Sequence, residues 1–126
     1  MEFYTNKENQ WRKNKFDILE PVFKEKNKVA LEDISVFLIP GMAFDRQGSR
    51  LGRGQAYYDT TLSSIKRSQT CNLRFNGVKQ PLFIGVAFTE QINRTALPLS
   101  QHDILMDCLI TDQFILWPLQ SRKRGK

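Results

Sequence analysis

The chain is constrained most by one stretch. Val36-Phe37-Leu38-Ile39 carries no charge, stops at Pro40-Gly41, and is followed by Arg46, Gly48, Arg50, Gly52, Arg53 and Gly54 before a helix-compatible segment opens near Gln55. An apolar, β-branched-rich run bounded by Pro-Gly reads as a strand, so the stretch predicts a strand, a loop of phosphate size and a helix start. Such a junction favours an anion, because unpaired backbone N–H groups and the positive end of a helix dipole face the same space. Gly48, Gly52 and Gly54 are expected to turn the backbone at positive φ, and the arginines add fixed positive charge. Asp59, one helical turn inside, is placed to hold Mg2+ against the same phosphates. The pattern is not Walker A, which ends in Gly-Lys-Ser/Thr, nor a dinucleotide fingerprint, because Gly-x-Gly-x-x-Gly fails at Tyr57.

A second run, Leu82-Phe83-Ile84-Gly85-Val86-Ala87-Phe88, is also apolar on both faces. Strand, helix and strand in this order predict a parallel pair closed by a right-handed crossover. Runs without charge on either face predict burial between two layers. The expected architecture is therefore α/β, a three-layer α/β/α arrangement around a mostly parallel, Rossmann-like sheet. Tyr58, Leu62 and Ile65 form the inward stripe of a helix over 55–66, while 68–80 reads as a loop tethered by Cys71 and Phe75. Cys108-Leu109-Ile110 is a third strand and Phe114 to Trp117 a fourth. Phe3, Lys7, Trp11 and Lys15 fall on helical spacing and predict a short amphipathic helix within 1–16. Ile18-Leu19-Glu20-Pro21 is expected to be extended, since the residue before a proline avoids the helical region.

At 126 residues the chain is expected to form a single domain. No apolar run approaches the roughly 20 residues that span a bilayer. The first residues lack a signal core or an Arg/Ser-rich transit composition, which predicts a cytoplasmic protein. Cys71 and Cys108 have no metal-type spacing and read as ordinary reduced thiols. The net charge is +6, but Arg122, Lys123, Arg124 and Lys126 supply four of those charges from a basic tail over 118–126. Without that tail the body is mildly basic and suits a polyanionic small molecule as well as RNA. No specific nucleic-acid partner is expected, because no aromatic platform motif accompanies the charge.

Pro40-Gly41-Met42-Ala43-Phe44-Asp45, Gly48-Ser49-Arg50-Leu51-Gly52-Arg53-Gly54 and Tyr57-Tyr58-Asp59 together resemble the 5-formyltetrahydrofolate cyclo-ligase family, also called methenyltetrahydrofolate synthetase. Gly85-Val86-Ala87-Phe88, Leu97-Pro98, His102-Asp103 and Asp107 keep the family order, so the resemblance runs over about 18–116. It implies that Arg50, Leu51, Gly52, Arg53, Gly54, Gln55, Ala56, Tyr57 and Tyr58 line ATP. Arg53 through Tyr57 would also face the folate, with Arg53 and Tyr57 at the reaction, and Asp59 and Asp103 would hold Mg2+. His102 reads as orienting Asp103, Asp45 as a loop cap or a weaker phosphate or metal candidate, and Asp107 as a strand-start residue bonded to nearby backbone. The implied reaction is ATP- and Mg2+-dependent conversion of 5-formyltetrahydrofolate to 5,10-methenyltetrahydrofolate through a phosphorylated formyl group.

Two departures bear on that expectation. Gln55 and Ala56 stand where the family usually has Lys and Gly, which removes a charge-assisted phosphate contact worth roughly 1.5–3 kcal/mol. Family members also carry a further half-domain before the Ile-Leu-Glu-Pro segment, including a basic helix that contacts ATP and much of the folate pocket. The sequence thus reads as lacking the N-terminal half, with self-association or a partner chain replacing it. The alternative is a truncated, non-catalytic member that binds nucleotide or a partner.

Overall fold

The computed structural model describes residues 2–5, 11–52, 60–63, 74–75, 78–79, 81–98 and 104–118. In chain order the strands are β1 (Phe3–Tyr4), β2 (Trp11–Lys13), β3 (Leu19–Pro21), β4 (Lys28–Val29), β5 (Val36–Ile39), β6 (Ala43–Asp45) and β7 (Arg50–Leu51). They continue with β8 (Arg74–Phe75), β9 (Val78–Lys79), β10 (Leu82–Val86), β11 (Ile92–Asn93), β12 (Cys108–Ile110) and β13 (Ile115–Leu116).

The central sheet has the order β13-β12-β10-β5. β10 pairs in parallel with both β5 and β12, and β13 closes one side antiparallel to β12. The sheet is therefore mostly parallel, as the strand, helix and strand order predicts. Thr111 makes the turn into β13: its hydroxyl accepts the amides of Gln113 and Phe114 at 3.1 and 3.0 Å. Residues 60–63 are helical, and Leu62 enters the core. Tyr58 and Ile65 lie outside the described residues.

One face of this sheet is closed. Phe37, Ile39, Phe83 and Leu109 join Phe44, Leu62 and Met106 in the core. Phe37 sits between Phe3 and Phe83 in edge-on contacts at 5.5 and 5.7 Å, a geometry that aligns ring edges with ring faces. Gly85 leaves room for this packing, since a Cβ there would lie 2.6 Å from the Phe44 ring and 2.7 Å from Leu109.

The expectation of burial on both faces is corrected here. Along β5 exposure alternates, with Phe37 and Ile39 buried but Val36 44% and Leu38 66% exposed. The run lacks charge, yet only one of its faces is packed against other described elements. Helical structure is also sparser than a three-layer arrangement requires: the described helices are residues 60–63 and three one-turn 3-10 segments.

Three further expectations change. The helix within 1–16 is replaced by β1, paired with β4, and by β2, paired antiparallel with β3. Trp11-Arg12-Lys13 runs exposed along a hairpin, and Asn14 makes its turn by accepting the amides of Phe16 and Ile18 at 2.8 and 3.2 Å. Ile18 to Pro21 is extended as expected, within β3. The loop expected over 68–80 contains β8 and β9 in antiparallel register; Cys71 lies outside the described residues.

Candidate functional site

The Gly/Arg stretch does not run as an open loop from strand to helix. Residues 43–51 form a hairpin, β6 against β7, and β6 also pairs in parallel with β11 in a second sheet. The turn is organised by Asp45, which is 1% exposed. Its Oδ1 accepts the amides of Gln47 at 3.0 Å and Ser49 at 2.9 Å, and its Oδ2 accepts the amide of Leu97 at 2.7 Å. The Gly48 amide donates to the Asp45 carbonyl at 3.1 Å. The amides at 47–49, expected to face phosphate, are thus consumed inside the protein. Asp45 thus serves as a buried cap that accepts three backbone amides.

Gly48 adopts φ +92°, as expected. A Cβ there would also meet the Met106 carbonyl at 2.6 Å, while the Met106 amide donates to the Gly48 carbonyl at 2.8 Å. Gly52 is not in the left-handed region. Its requirement is space: a Cβ would lie 3.0 Å from the Arg50 guanidinium, and one at Gly41 would lie 2.8 Å from Arg50 Cγ. Arg50 is cradled between these glycines and donates from Nη1 to the Pro40 carbonyl at 3.1 Å.

That places Arg50 at the carboxyl end of β5, and the neighbouring strand ends are tied to it. The Gln91 side chain donates to the carbonyls of Gly41 and Met42 at 3.0 and 3.2 Å. Asp112 accepts both the amide and the hydroxyl of Thr89 at 2.8 Å. The connections after β5, β10 and β12 therefore form one rim at the carboxyl ends of the parallel strands, where open α/β sheets bind ligands. Gln91, Thr89 and Asp112 carried no motif in the sequence, because their partners lie 23 to 50 residues away.

Arg50, Leu51 and Gly52 lie within the described residues; Arg53, Gly54, Gln55, Ala56, Tyr57, Tyr58, Asp59, His102 and Asp103 lie outside them. What is described is how the flanks are held. Met42 donates its amide to the Leu51 carbonyl at 2.8 Å, just before 53–59. Leu97 on Asp45 and Met106 on Gly48 bracket the stretch that contains Asp103, so both of its anchors are on one hairpin turn. Among the described residues no group of three or more His, Cys, Asp or Glu can hold a metal.

Asp107 matches its expected role: fully buried, it accepts the Phe83 amide at 2.8 Å and fixes the start of β12 against β10. The Thr89 amide, and then its hydroxyl, hold the Asp112 carboxyl below the ordinary aspartate value. Cys108 is a free, buried thiol whose pKa burial pushes up, which suits an unreactive role. A shallow hollow lies apart from the rim, lined by Arg12, Lys13, Asn14, Lys15, Phe16 and Glu20. Glu20 there pairs with Arg12 at 3.5 Å.

No helix among the described residues is long and apolar enough to cross a membrane. In comparisons with known proteins, residues 1–112 match the model of the 5-formyltetrahydrofolate cyclo-ligase family. The mitochondrial 5-formyltetrahydrofolate cyclo-ligase of Arabidopsis thaliana is 39% identical over 86% of this chain and 40% of its own length. The Escherichia coli K12 cyclo-ligase is 31% identical over 78% of this chain and 47% of its own. The NMR structure of Aquifex aeolicus 5,10-methenyltetrahydrofolate synthetase superposes with a TM-score of 0.67 at 31% identity, covering 99% of this chain and 54% of that one. The chain thus spans about half the length of these relatives. With a family match over 1–112 and a fold shared with a solved synthetase, the chain belongs to the 5-formyltetrahydrofolate cyclo-ligase family.

Proposed function

We propose that this chain carries the nucleotide-binding part of a 5-formyltetrahydrofolate cyclo-ligase and takes part in the ATP- and Mg2+-dependent formation of 5,10-methenyltetrahydrofolate. The observation that carries the reading is the family match over residues 1–112. The rim at the carboxyl ends of the parallel strands, with Arg50 seated on it, supports a ligand site there. The chain acts as one domain, within a three-layer, Rossmann-like whole, and works in the cytoplasm without membrane or specific nucleic-acid partners.

In this reading Arg50, Leu51, Gly52, Arg53, Gly54, Gln55, Ala56, Tyr57 and Tyr58 line ATP. Arg53 neutralises the transferring phosphoryl group, and Tyr57 packs against the pterin or formyl group. Asp59 and Asp103 are the carboxylates for Mg2+, which when bound would neutralise β- and γ-phosphate oxygens. The formyl oxygen takes the γ-phosphoryl group and ADP is released. N10 then attacks the activated carbon, and the carbon–oxygen bond breaks to expel phosphate. Phosphoryl transfer of this kind needs positioning and charge neutralisation more than a protein base.

The test is the near-ultraviolet absorbance of the methenyl product from 5-formyltetrahydrofolate, ATP and Mg2+. Arg53→Ala and Asp59→Ala should each abolish it. A second reading is a non-catalytic member that binds nucleotide or a partner, favoured by Gln55 and Ala56 standing where the family usually has Lys and Gly. ATP binding without product, in the presence of every substrate, would select it.

A further inference from the structure

Between β5, whose ladder to β10 ends at Ile39, and β6, which begins at Ala43, the chain turns a corner at Pro40-Gly41-Met42. Each of these residues touches the strand that leads into the candidate site. The Pro40 carbonyl accepts Arg50 Nη1 at 3.1 Å, a Cβ on Gly41 would lie 2.8 Å from Arg50 Cγ, and the Met42 amide donates to the Leu51 carbonyl at 2.8 Å. The path of the corner therefore sets the seat of Arg50. The group that holds the corner comes from the connection after β10. Gln91 Nε2 donates to the carbonyls of Gly41 at 3.0 Å and Met42 at 3.2 Å, while Gln91 Oε1 accepts the Phe88 amide at 2.8 Å. Turned over, the side-chain amide would set N–H against N–H and oxygen against two carbonyls, so its orientation is fixed. A side chain that only capped its own turn would need the oxygen alone, and a glutamate caps as well as a glutamine. The two N–H donors are spent on another loop. The turn that carries Gln91 is itself anchored, because Thr89 donates its amide and its hydroxyl to Asp112, each at 2.8 Å.

We propose that Gln91 is a positioning residue of the candidate site: by holding the carbonyls of Gly41 and Met42 it fixes the corner on which Arg50 is seated, and so sets the guanidinium for the phosphates of ATP. Gln91 meets no ligand in this role and acts through the backbone of 41 and 42. The choice of ATP rests on the function proposed above, whereas the hold on Arg50 rests on the hydrogen bonds alone.

The experiment has one arm without ligand and one with ATP and Mg2+. Gln91→Glu keeps an oxygen for the Phe88 amide and, when ionised, turns a second oxygen toward the two carbonyls. Without ligand and near neutral pH, the Met42 amide should lose about tenfold of its hydrogen-exchange protection in this variant. Protection should return toward the wild-type value in acid, where the introduced carboxyl is protonated and regains one O–H donor. Gln91→Asn, one methylene too short to span both loops, should lose the same protection with no recovery in acid. In the second arm Gln91→Asn, which brings no charge, should weaken ATP binding about fivefold, the scale of a lost hydrogen bond. In an Arg50→Ala background the same change should cost less than about twofold, since two residues that act through one group are not additive. Undiminished Met42 protection in both Gln91 variants overturns the proposal, and so does an equal loss of ATP affinity with and without Arg50. Should wild type bind no ATP, the nucleotide reading fails, and Met42 exchange alone decides whether Gln91 holds the corner.

Discussion

The two faces of the central sheet are built from the same residue types on the same strands, and along β5 the described elements pack against only one of them. Phe37, Ile39, Phe83 and Leu109 vanish from solvent, while Val36, Leu38 and Val86, their alternate neighbours, remain accessible. Hydrophobicity alone does not bury a side chain; a second surface must meet it. On the closed face that surface is the β6–β7 hairpin carrying Phe44, with Leu62 and Met106 beside it. The hairpin is held by one carboxylate, so core and candidate site share a support.

The contrast is broken most severely by Phe83→Ala, which should cost about 3–5 kcal/mol in urea unfolding because it empties the centre of the closed face. A cost below about 1 kcal/mol would mean that this face is not the core. Asp45→Ala should cost about 3 kcal/mol, since it strands the amides of Gln47, Ser49 and Leu97. The same variant should speed amide exchange at 47–49, whereas a phosphate or metal role for Asp45 would leave exchange unchanged in the absence of ligand.

Leu38→Ala should change stability by no more than about 0.5 kcal/mol, the range of an exposed substitution. A loss near that of Phe83→Ala would show the second face to be covered already. The smallest effect belongs to Asp112. Its folded pKa is lowered, so its contribution is present above the ordinary aspartate value and is lost as pH falls through the folded one. The stability difference between wild type and Asp112→Asn should therefore shrink on acidification below that range. A difference that grows with acid would reverse the sign of the linkage.

The strands of the central sheet were legible because they are short apolar runs bounded by turn residues, and their parallel pairing followed from the crossover rule. Gly48 was legible for its conformation, while Gly52 was read for the wrong reason, as a turn and not as space for Arg50. The hairpin over 43–51 was missed because its strands are only two or three residues long and the glycines and arginines in and after it read as a loop. The role of Asp45 was half visible: a carboxylate two residues before an amide suggests a cap, but the bond to Leu97 spans 52 residues.

By itself the sequence determined the family, through ordered motifs from Pro40 to Asp107, and the parallel order of its main strands. Those features depend on local chemistry and chain order, which a sequence states directly. Only the tertiary structure decided which face of the sheet is packed, where the amides of the Gly/Arg turn are spent, and that three strand-end connections are joined by Gln91, Thr89 and Asp112. Each of these depends on partners distant in sequence, and burial and hydrogen bonding are properties of pairs, not of the residues taken singly.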